Sequence, residues 1–231
     1  MLLVSIDTST KGCSVAVHNN GEVLVSYDLY KQQSSSALLT TLIQNAVDHA
    51  GFTFDEVDAF AIAKGPGSYT GLRVGVSTAK GLCYSLDKPL VAVNTLEAMA
   101  MQIADFYEPD ILLCPMLDAR RMEVYCAVYD NFLTVRQPTQ ACIVDENSFA
   151  DLLSEHRVAF FGDGASKCRT VFQNNSNALF SASTIAPSAK TVGQLASIAY
   201  SKGQFENVST FEPYYLKDFM GTQPKKKQAI V

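Results

Sequence analysis

The sequence predicts an α/β protein made of two related lobes, the second smaller than the first, and three observations predict it. Apolar strands alternate with amphipathic helices from end to end. A glycine-rich segment, Lys64-Gly65-Pro66-Gly67-Ser68-Tyr69-Thr70-Gly71, joins one such strand to a helix. Sliding the chain by 111 residues superposes Asp7 on Asp118, Ala16-Val17 on Ala127-Val128 and Asn20 on Asn131 without a gap. The last observation reads as a duplicated lobe, each copy running strand, carboxylate, polar turn, strand, turn, strand. The expected division is a first lobe over 1–105, a second over 106–218, and a basic, mobile tail over 219–231.

The elements follow in order. Leu2 to Asp7 is an apolar strand, Thr8 to Gly12 a polar turn, and Cys13 to Asn19 a second strand. Asn20-Gly21 signals a hairpin into a third, Glu22 to Tyr30. Ser34-Ser35-Ser36 offers capping oxygens to a helix ending near His49, whose apolar residues recur at helical spacing. Asp58 to Ala63 is a buried strand, Lys64 to Gly71 the glycine loop, Leu72 to Leu86 a helix, Pro89 to Val93 a strand, and Thr95 to Tyr107 a helix. The second half restarts with strands Ile111 to Leu117 and Met122 to Tyr129. A helix over Phe149 to His156, a strand over Val158 to Phe161 and a helix over Ala165 to Phe172 follow, with Gly162-Asp163-Gly164 turning between the last two. Thr191 to Lys202 is the final helix.

Composition narrows the function. In 231 residues, 48% hydrophobic and 18% charged, there is enough apolar surface for a substantial core. A net charge of -5 argues against a stand-alone nucleic-acid binder, which carries a basic face. The six cysteines form no CxxC pair and most sit in apolar runs, as free thiols in a reducing compartment do. The N-terminus lacks a basic region and meets Asp7 at once, and no apolar run is long enough to span a bilayer. A cytoplasmic location with no membrane contact is the expectation.

Two segments could meet an anion. The glycine loop precedes a helix, where backbone N–H groups and the helix dipole favour negative charge. It lacks the Lys-Ser/Thr of a P-loop, and a three-stranded meander precedes it, unlike a dinucleotide fingerprint. The alternative is that Gly65 and Gly67 shape a turn while Gly71, Gly75 and Ala79 let the helix pack closely. Asp7-Thr8-Ser9 is the second segment, either a phosphate- and metal-facing turn or one closed by its own side chains. His18, His49 and His156 share no metal-ligand spacing, and Ser68 and Thr70 have no local base. The run Lys225-Lys226-Lys227 reads as solvated.

Several segments together resemble the glycoprotease-like family of the actin/Hsp70/sugar-kinase (ASKHA) superfamily. They are Ile6-Asp7-Thr8-Ser9, Cys13-Ser14-Val15-Ala16, Gly65 to Gly75, Thr78-Ala79-Lys80-Gly81-Leu82 and Asn94-Thr95-Leu96-Glu97-Ala98. Asp118-Ala119-Arg120, Glu123-Val124-Tyr125, Gly162-Asp163-Gly164 and Pro213-Tyr214-Tyr215-Leu216-Lys217 extend the likeness to residue 217. Tyr69 stands where Phe is usual, Met122 where Gly is usual and Lys217 where Arg is usual.

The family's catalytic member carries an HxxxH metal site at the helix start that matches Thr95 to Met99. Thr95 and Met99 fill the two histidine places, and neither suits the ion held there. The resemblance therefore implies no catalytic residue, no metal, and a scaffold role. The partners it implies are a TsaD-like catalytic paralogue, a TsaE-like ATPase and a second copy of the chain, with tRNA met only through the complex. The joint task is threonylcarbamoyl transfer to N6 of the adenosine 3′ of the anticodon.

The contact surface expected from the helices is Leu38, Leu42, Gly71, Arg73, Val74, Gly75, Ala79 and Lys80, unless both helices are simply buried in the lobe. A vestigial nucleotide or phosphate cleft would comprise Asp7, Thr8, Ser9, Gly65, Gly67, Ser68, Asp118, Arg120, Gly162 and Gly164. No cofactor is expected, and any nucleotide would bind weakly or at a subunit interface. The rival readings are an independent ATP-binding phosphotransferase or ATPase, and a peptidase acting on its paralogue.

Overall fold

A computed structural model describes residues 1–30 and 35–217, without the side chains of Ser35 and Ser36. The expected Ser34 cap and the basic tail with Lys225-Lys226-Lys227 lie outside the described residues. Strands β1 (Leu2–Asp7), β2 (Cys13–Asn19) and β3 (Glu22–Leu29) form an antiparallel meander. Helix α1 (Ser35–His49) leads to β4 (Ala59–Gly65), which pairs parallel with β1, and α2 (Tyr69–Leu86) leads to β5 (Leu90–Asn94), parallel with β4. After α3 (Thr95–Met101) the pattern repeats. β6 (Leu112–Asp118), β7 (Glu123–Tyr129) and β8 (Val135–Ile143) form a second meander. α4 (Ala150–Glu155), β9 (Val158–Phe161), α5 (Ala165–Phe172) and β10 (Ala178–Phe180) complete that unit, and α6 (Ala189–Ser201) follows. The sheet orders β3-β2-β1-β4-β5 and β8-β7-β6-β9-β10 are the same order twice. This doubled sheet is the predicted ASKHA architecture.

Both faces of β1 are covered, so its residues read as one apolar run and all are buried. Leu2, Val4 and Ile6 pack with Leu39, Ile43, Val76 and Ala79 of α1 and α2. On the opposite face Leu3 joins Ala59, Ala61 and Ala63 of β4, and these small side chains admit Val192 and Ala196 of α6. There His18 is fully buried: its ring meets the Lys190 carbonyl at 3.0 Å, and Gly193 leaves the space it fills. Helix α6 thus comes from the second half of the chain yet covers the first sheet. Conversely, Leu96, Met99 and Ala100 of α3 pack with Leu113, Leu117 and Phe161 of the second sheet.

Several expected boundaries shift by one or more residues. Helix α2 begins at Tyr69, not Leu72, because the Ser68 hydroxyl caps it by accepting from the Gly71 amide, and β4 runs on through Gly65. Helix α3 stops at Met101, and the chain then turns through a 3-10 segment at Ala104–Phe106. Strand β10, three residues long, was not expected.

The 111-residue offset also needs a correction. Val15 and Cys126 occupy equivalent places on β2 and β7, which keeps that offset and the Ala-Val match. Their ladder partners are Ile6 and Met116, however, an offset of 110 on β1 and β6. Both partners face the helices that follow their own meander. Asp7 is therefore the equivalent of Leu117, and Asp118 that of Thr8. The one-residue slip turns the two carboxylates to opposite faces of their sheets.

Candidate functional site

The turn after β1 and the start of α2 are packed backbone to backbone. The Ser68 amide donates to the Ser9 carbonyl at 2.6 Å, and the Thr8 hydroxyl donates to the Gly71 carbonyl at 2.8 Å. A Cβ on Gly67 would lie 2.3 Å from the Ser9 carbonyl oxygen, and one on Gly71 would lie 2.1 Å from that of Thr8. On Gly75 it would meet Thr8 Oγ1 at 2.2 Å and Ile62 at 3.0 Å. Gly65, at φ 112°, carries the C-terminal segment instead, with the Tyr214 carbonyl 2.9 Å from where its Cβ would stand. The glycines serve close approach, the second of the two readings open from the sequence. This corrects the expected partner surface as well: Gly71, Gly75 and Ala79 are buried against their own lobe and present nothing outward.

Asp7 is 3% exposed. Its Oδ1 accepts from the Ser9 amide at 2.8 Å and the Ser9 hydroxyl at 2.7 Å, while Oδ2 is buried without a partner. Burial is the main reason its carboxyl is pushed up to about 6, against the opposing pull of the Ser9 bonds. It borders a cleft of about 160 Å³ shared with Lys11, Asp28, Asp163 and the 184–187 segment that leads into α6.

Asp118 meets a different environment. Although partial burial raises it, the Lys167 ammonium at 2.6 Å and the Arg120 amide at 2.6 Å hold it below its ordinary value. The face it shares with Met116 is the face α5 covers, and Lys167 belongs to α5. Arg120 and Arg121 both adopt positive φ and carry the turn into Met122, which does not. Asp163 accepts from the Asp118 amide at 2.9 Å, and Gly162 and Gly164 lie against the Met116 and Leu117 backbone. The Asp7 turn with the glycine loop, and the Asp118 turn with Gly162-Asp163-Gly164, are thus two separately hydrogen-bonded assemblies; Asp163 also reaches the cleft beside Asp7, and the Lys11 charge acts on Asp118.

At the start of α3, Asn94 caps the helix by accepting from the Leu96 amide at 2.9 Å, and its amide donates to Thr139 of β8 at 2.9 Å. Thr95 and Met99 are fully buried. Met99 belongs to the apolar cluster with Leu113 and Phe161, and the Thr95 hydroxyl has no partner. Among the described residues, no group of three or more His, Cys, Asp or Glu side chains could hold a metal ion.

The outer side of α1 and α2 is nearly free of charge. Across both helices the charged residues are Asp48, Arg73 and Lys80. All three are engaged: Asp48 accepts from the Gln44 side-chain amide at 2.8 Å, Lys80 donates to the Phe211 carbonyl at 2.8 Å, and Arg73 lies over the Tyr69 ring and donates to the Tyr215 hydroxyl at 3.2 Å. Leu38 is 43% exposed, Leu42 and Val74 are half-buried, and Asn45, Ser77 and Gly81 are exposed. Gly81 was not singled out as an interface residue from the sequence. It is helical and meets nothing within 4 Å, so its missing side chain is not explained by packing inside the chain.

The segment Phe211–Lys217 also escaped notice as a structural device. Phe211 packs on the first core, the Tyr214 amide donates to the Lys64 carbonyl at 2.7 Å, and Tyr215 sits on Tyr69. Lys217 pairs with Glu123 of β7. The segment therefore runs from the glycine loop to the second sheet.

Residues 30–225 match the family pattern described as TsaD, tRNA N6-adenosine threonylcarbamoyltransferase. The chain is 29% identical over 223 residues to the Escherichia coli protein named tRNA threonylcarbamoyladenosine biosynthesis protein TsaB, covering 94% of this chain and 95% of that one. The Bacillus subtilis protein of the same name is 35% identical over 129 residues, 56% of this chain and 55% of its own. The solved structure of YeaZ from Pseudomonas aeruginosa superposes with a TM-score of 0.79 at 25% identity, covering 93% of this chain and 99% of that chain.

Proposed function

This chain belongs to the TsaD family and, within it, to the TsaB (YeaZ) type, and on that footing we propose that it serves tRNA threonylcarbamoyladenosine biosynthesis as a partner subunit that binds the catalytic TsaD-type protein. The observation that carries this reading is the outer side of α1 and α2, which carries few charges. Leu38, Leu42, Val74 and Gly81 leave apolar and small surface in water, where an isolated domain gains nothing from it. A partner's helices laid against it would bury that surface while desolvating few charges. A TsaE-type ATPase and tRNA join through the resulting complex in the cytoplasm, and a second copy of the chain uses the same helices.

The chemistry belongs to the partner. At the places that match the catalytic member's histidines, Thr95 and Met99 lie inside the core. The phosphate-facing groups are committed to their own chain: the Ser68 amide to Ser9, Asp118 to Lys167 and Asp163 to the Asp118 amide. Nucleotide binding by this chain alone is therefore weak.

Leu38→Asp and Gly81→Arg, made separately, test the reading by size-exclusion chromatography and calorimetry with the TsaD-type partner. Each should weaken binding at least about tenfold, since a desolvated unpaired charge costs several kcal/mol, while the melting transition stays near that of the parent. Undiminished binding by both variants would remove this surface from the complex.

One observation favours a second reading. The unpartnered oxygen of Asp7 beside a cleft is what an ATPase of this fold would aim at a metal-bound phosphate. Calorimetry with ATP and magnesium on the isolated chain separates the two, because tight binding requires that second reading.

A further inference from the structure

The second sheet carries a row of sulfur atoms that neither the cleft nor the helical surface uses. Cys114 on β6, Cys126 on β7 and Cys142 on β8 lie on the face covered by α4 and α5. Met116 and Cys168 extend the row, with their sulfurs 3.4 Å apart. The ladder sets the thiols in diagonal steps. Cys126 pairs with Met116 on one side and Gln140 on the other, and Cys142, two residues past Gln140, lies opposite Val124. Cys126 sits between Cys114 and Cys142 on that face. Exposure is graded along the row. Cys114 and Cys126 are fully buried, whereas Cys142 reaches a surface groove it shares with Asn147, Phe149 and Asp151. Of the six cysteines it is the one that is not buried.

We propose that Cys126 and Cys142 form a reversible thiol–disulfide site, in which a hydroperoxide oxidises Cys142 and Cys126 resolves the product. In the first step the Cys142 sulfur attacks one oxygen of hydrogen peroxide and the O–O bond breaks. The departing oxygen leaves as water with the proton Cys142 gives up, and the sulfur, oxidised by two electrons, becomes a sulfenic acid. In the second step the Cys126 sulfur attacks the Cys142 sulfur and the S–O bond breaks. A second water leaves with the Cys126 proton, and the disulfide remains.

The surroundings favour this order. Burial raises the Cys142 thiol, but of this row it is the one that lines the surface groove, so a hydroperoxide meets it first. The neighbouring Cys114 thiol, and less so that of Cys142, hold the Cys126 thiol below its ordinary value against the effect of burial, which suits the resolving role at neutral pH. Burial pushes Cys83 and Cys168 up to about 12, which keeps them as spectators. A diagonal pair spans more than the commonest disulfide separation. The ladder is irregular on β7 just past Cys126, and a bond closed under tension is readily reduced again. Closure would tie the edge strand β8 to β7.

The test is stoichiometric hydrogen peroxide on the folded full chain, alkylation of remaining thiols, and non-reducing peptide mass spectrometry. A linked pair of peptides holding Cys126 and Cys142, two hydrogens lighter than the free pair and released by dithiothreitol, is expected. Cys142→Ser should abolish the link, and Cys126→Ser should leave a sulfenic acid at Cys142 that dimedone captures. The proposal fails if the link forms only after denaturation. It also fails if Cys142 reacts no faster than Cys13 or Cys83, or if Cys126→Ser leaves Cys142 unoxidised.

Discussion

Replacing Gly71, Gly75 and Gly81 one at a time by alanine tests how α2 is seated, because the same methyl group meets three different surroundings on one helix. Each change gains roughly 0.5–1 kcal/mol of helix preference. At Gly81 nothing lies within 4 Å, so that gain should appear whole, raising the melting temperature by about 1–4 °C. At Gly71 the methyl would stand 2.1 Å from the Thr8 carbonyl oxygen, a backbone atom that cannot rotate away. Relief requires lifting the helix. That costs roughly 1–3 kcal/mol in overpacking and endangers the Ser68–Ser9 and Thr8–Gly71 hydrogen bonds, each worth about 1 kcal/mol. A net loss of about 2–4 kcal/mol follows. Gly75→Ala should fall between, since its closest neighbour is the Thr8 hydroxyl, which can turn at the cost of its bond to Gly71. Urea unfolding of the isolated chain, followed by far-ultraviolet circular dichroism, measures all three. A Gly71→Ala protein as stable as the parent, or a Gly81→Ala protein that is less stable, would refute this seating of α2.

Three other outcomes are expected. Asp7 is more acidic when unfolded, near 3.8, than when folded, near 6. Its protonated form therefore favours folding, and that stability, complete below 3.8, is lost as pH rises through 6. Asp7→Asn should be more stable than the parent at pH 7.5 by up to about 2–3 kcal/mol, and the gap should close near pH 4; urea midpoints across that range decide it. His18 behaves oppositely: burial lowers it, so the stability carried by the neutral ring is full above 6.5 and lost as pH falls below it. Its ring resonances should titrate below 6.5, and titration above that value would contradict the buried placement. Tyr215→Ala removes the ring from Tyr69 and Arg73, and trypsin should then cut after Lys217 several-fold faster, with global unfolding little changed; an unchanged cleavage rate would deny the segment its anchoring role.

Much of the framework was legible because local signals agreed with the global fold. Val158–Phe161 and Ala165–Phe172 fall where the Gly162-Asp163-Gly164 punctuation puts them. The repeated meander was visible as a repeated pattern. Its register was not: Ile6 and Val15 are nine residues apart, Met116 and Cys126 ten, and an ungapped comparison cannot see the longer second turn. Helical spacing puts Gly71, Gly75 and Ala79 on one close-approach side of α2 but does not say whether that side faces inward or a partner. That is settled by Thr8, more than sixty residues away in sequence, whose carbonyl and hydroxyl occupy the space beside Gly71 and Gly75. Thr95 and Met99 were legible as residue types, while their burial depends on α3 lying between two sheets. The C-terminal segment carried no periodicity, so its path from Lys64 to Glu123 left no local trace.

Reconstitution with tRNA, the threonylcarbamoyl donor, a TsaD-type protein and a TsaE-type ATPase addresses the role as partner subunit most directly. Modified adenosine should form when this chain and the TsaD-type protein are both present, and should fall to background when either is omitted or when Leu38→Asp replaces the parent. Threonylcarbamoylated tRNA produced by this chain alone, or an undiminished yield in its absence, would contradict the role.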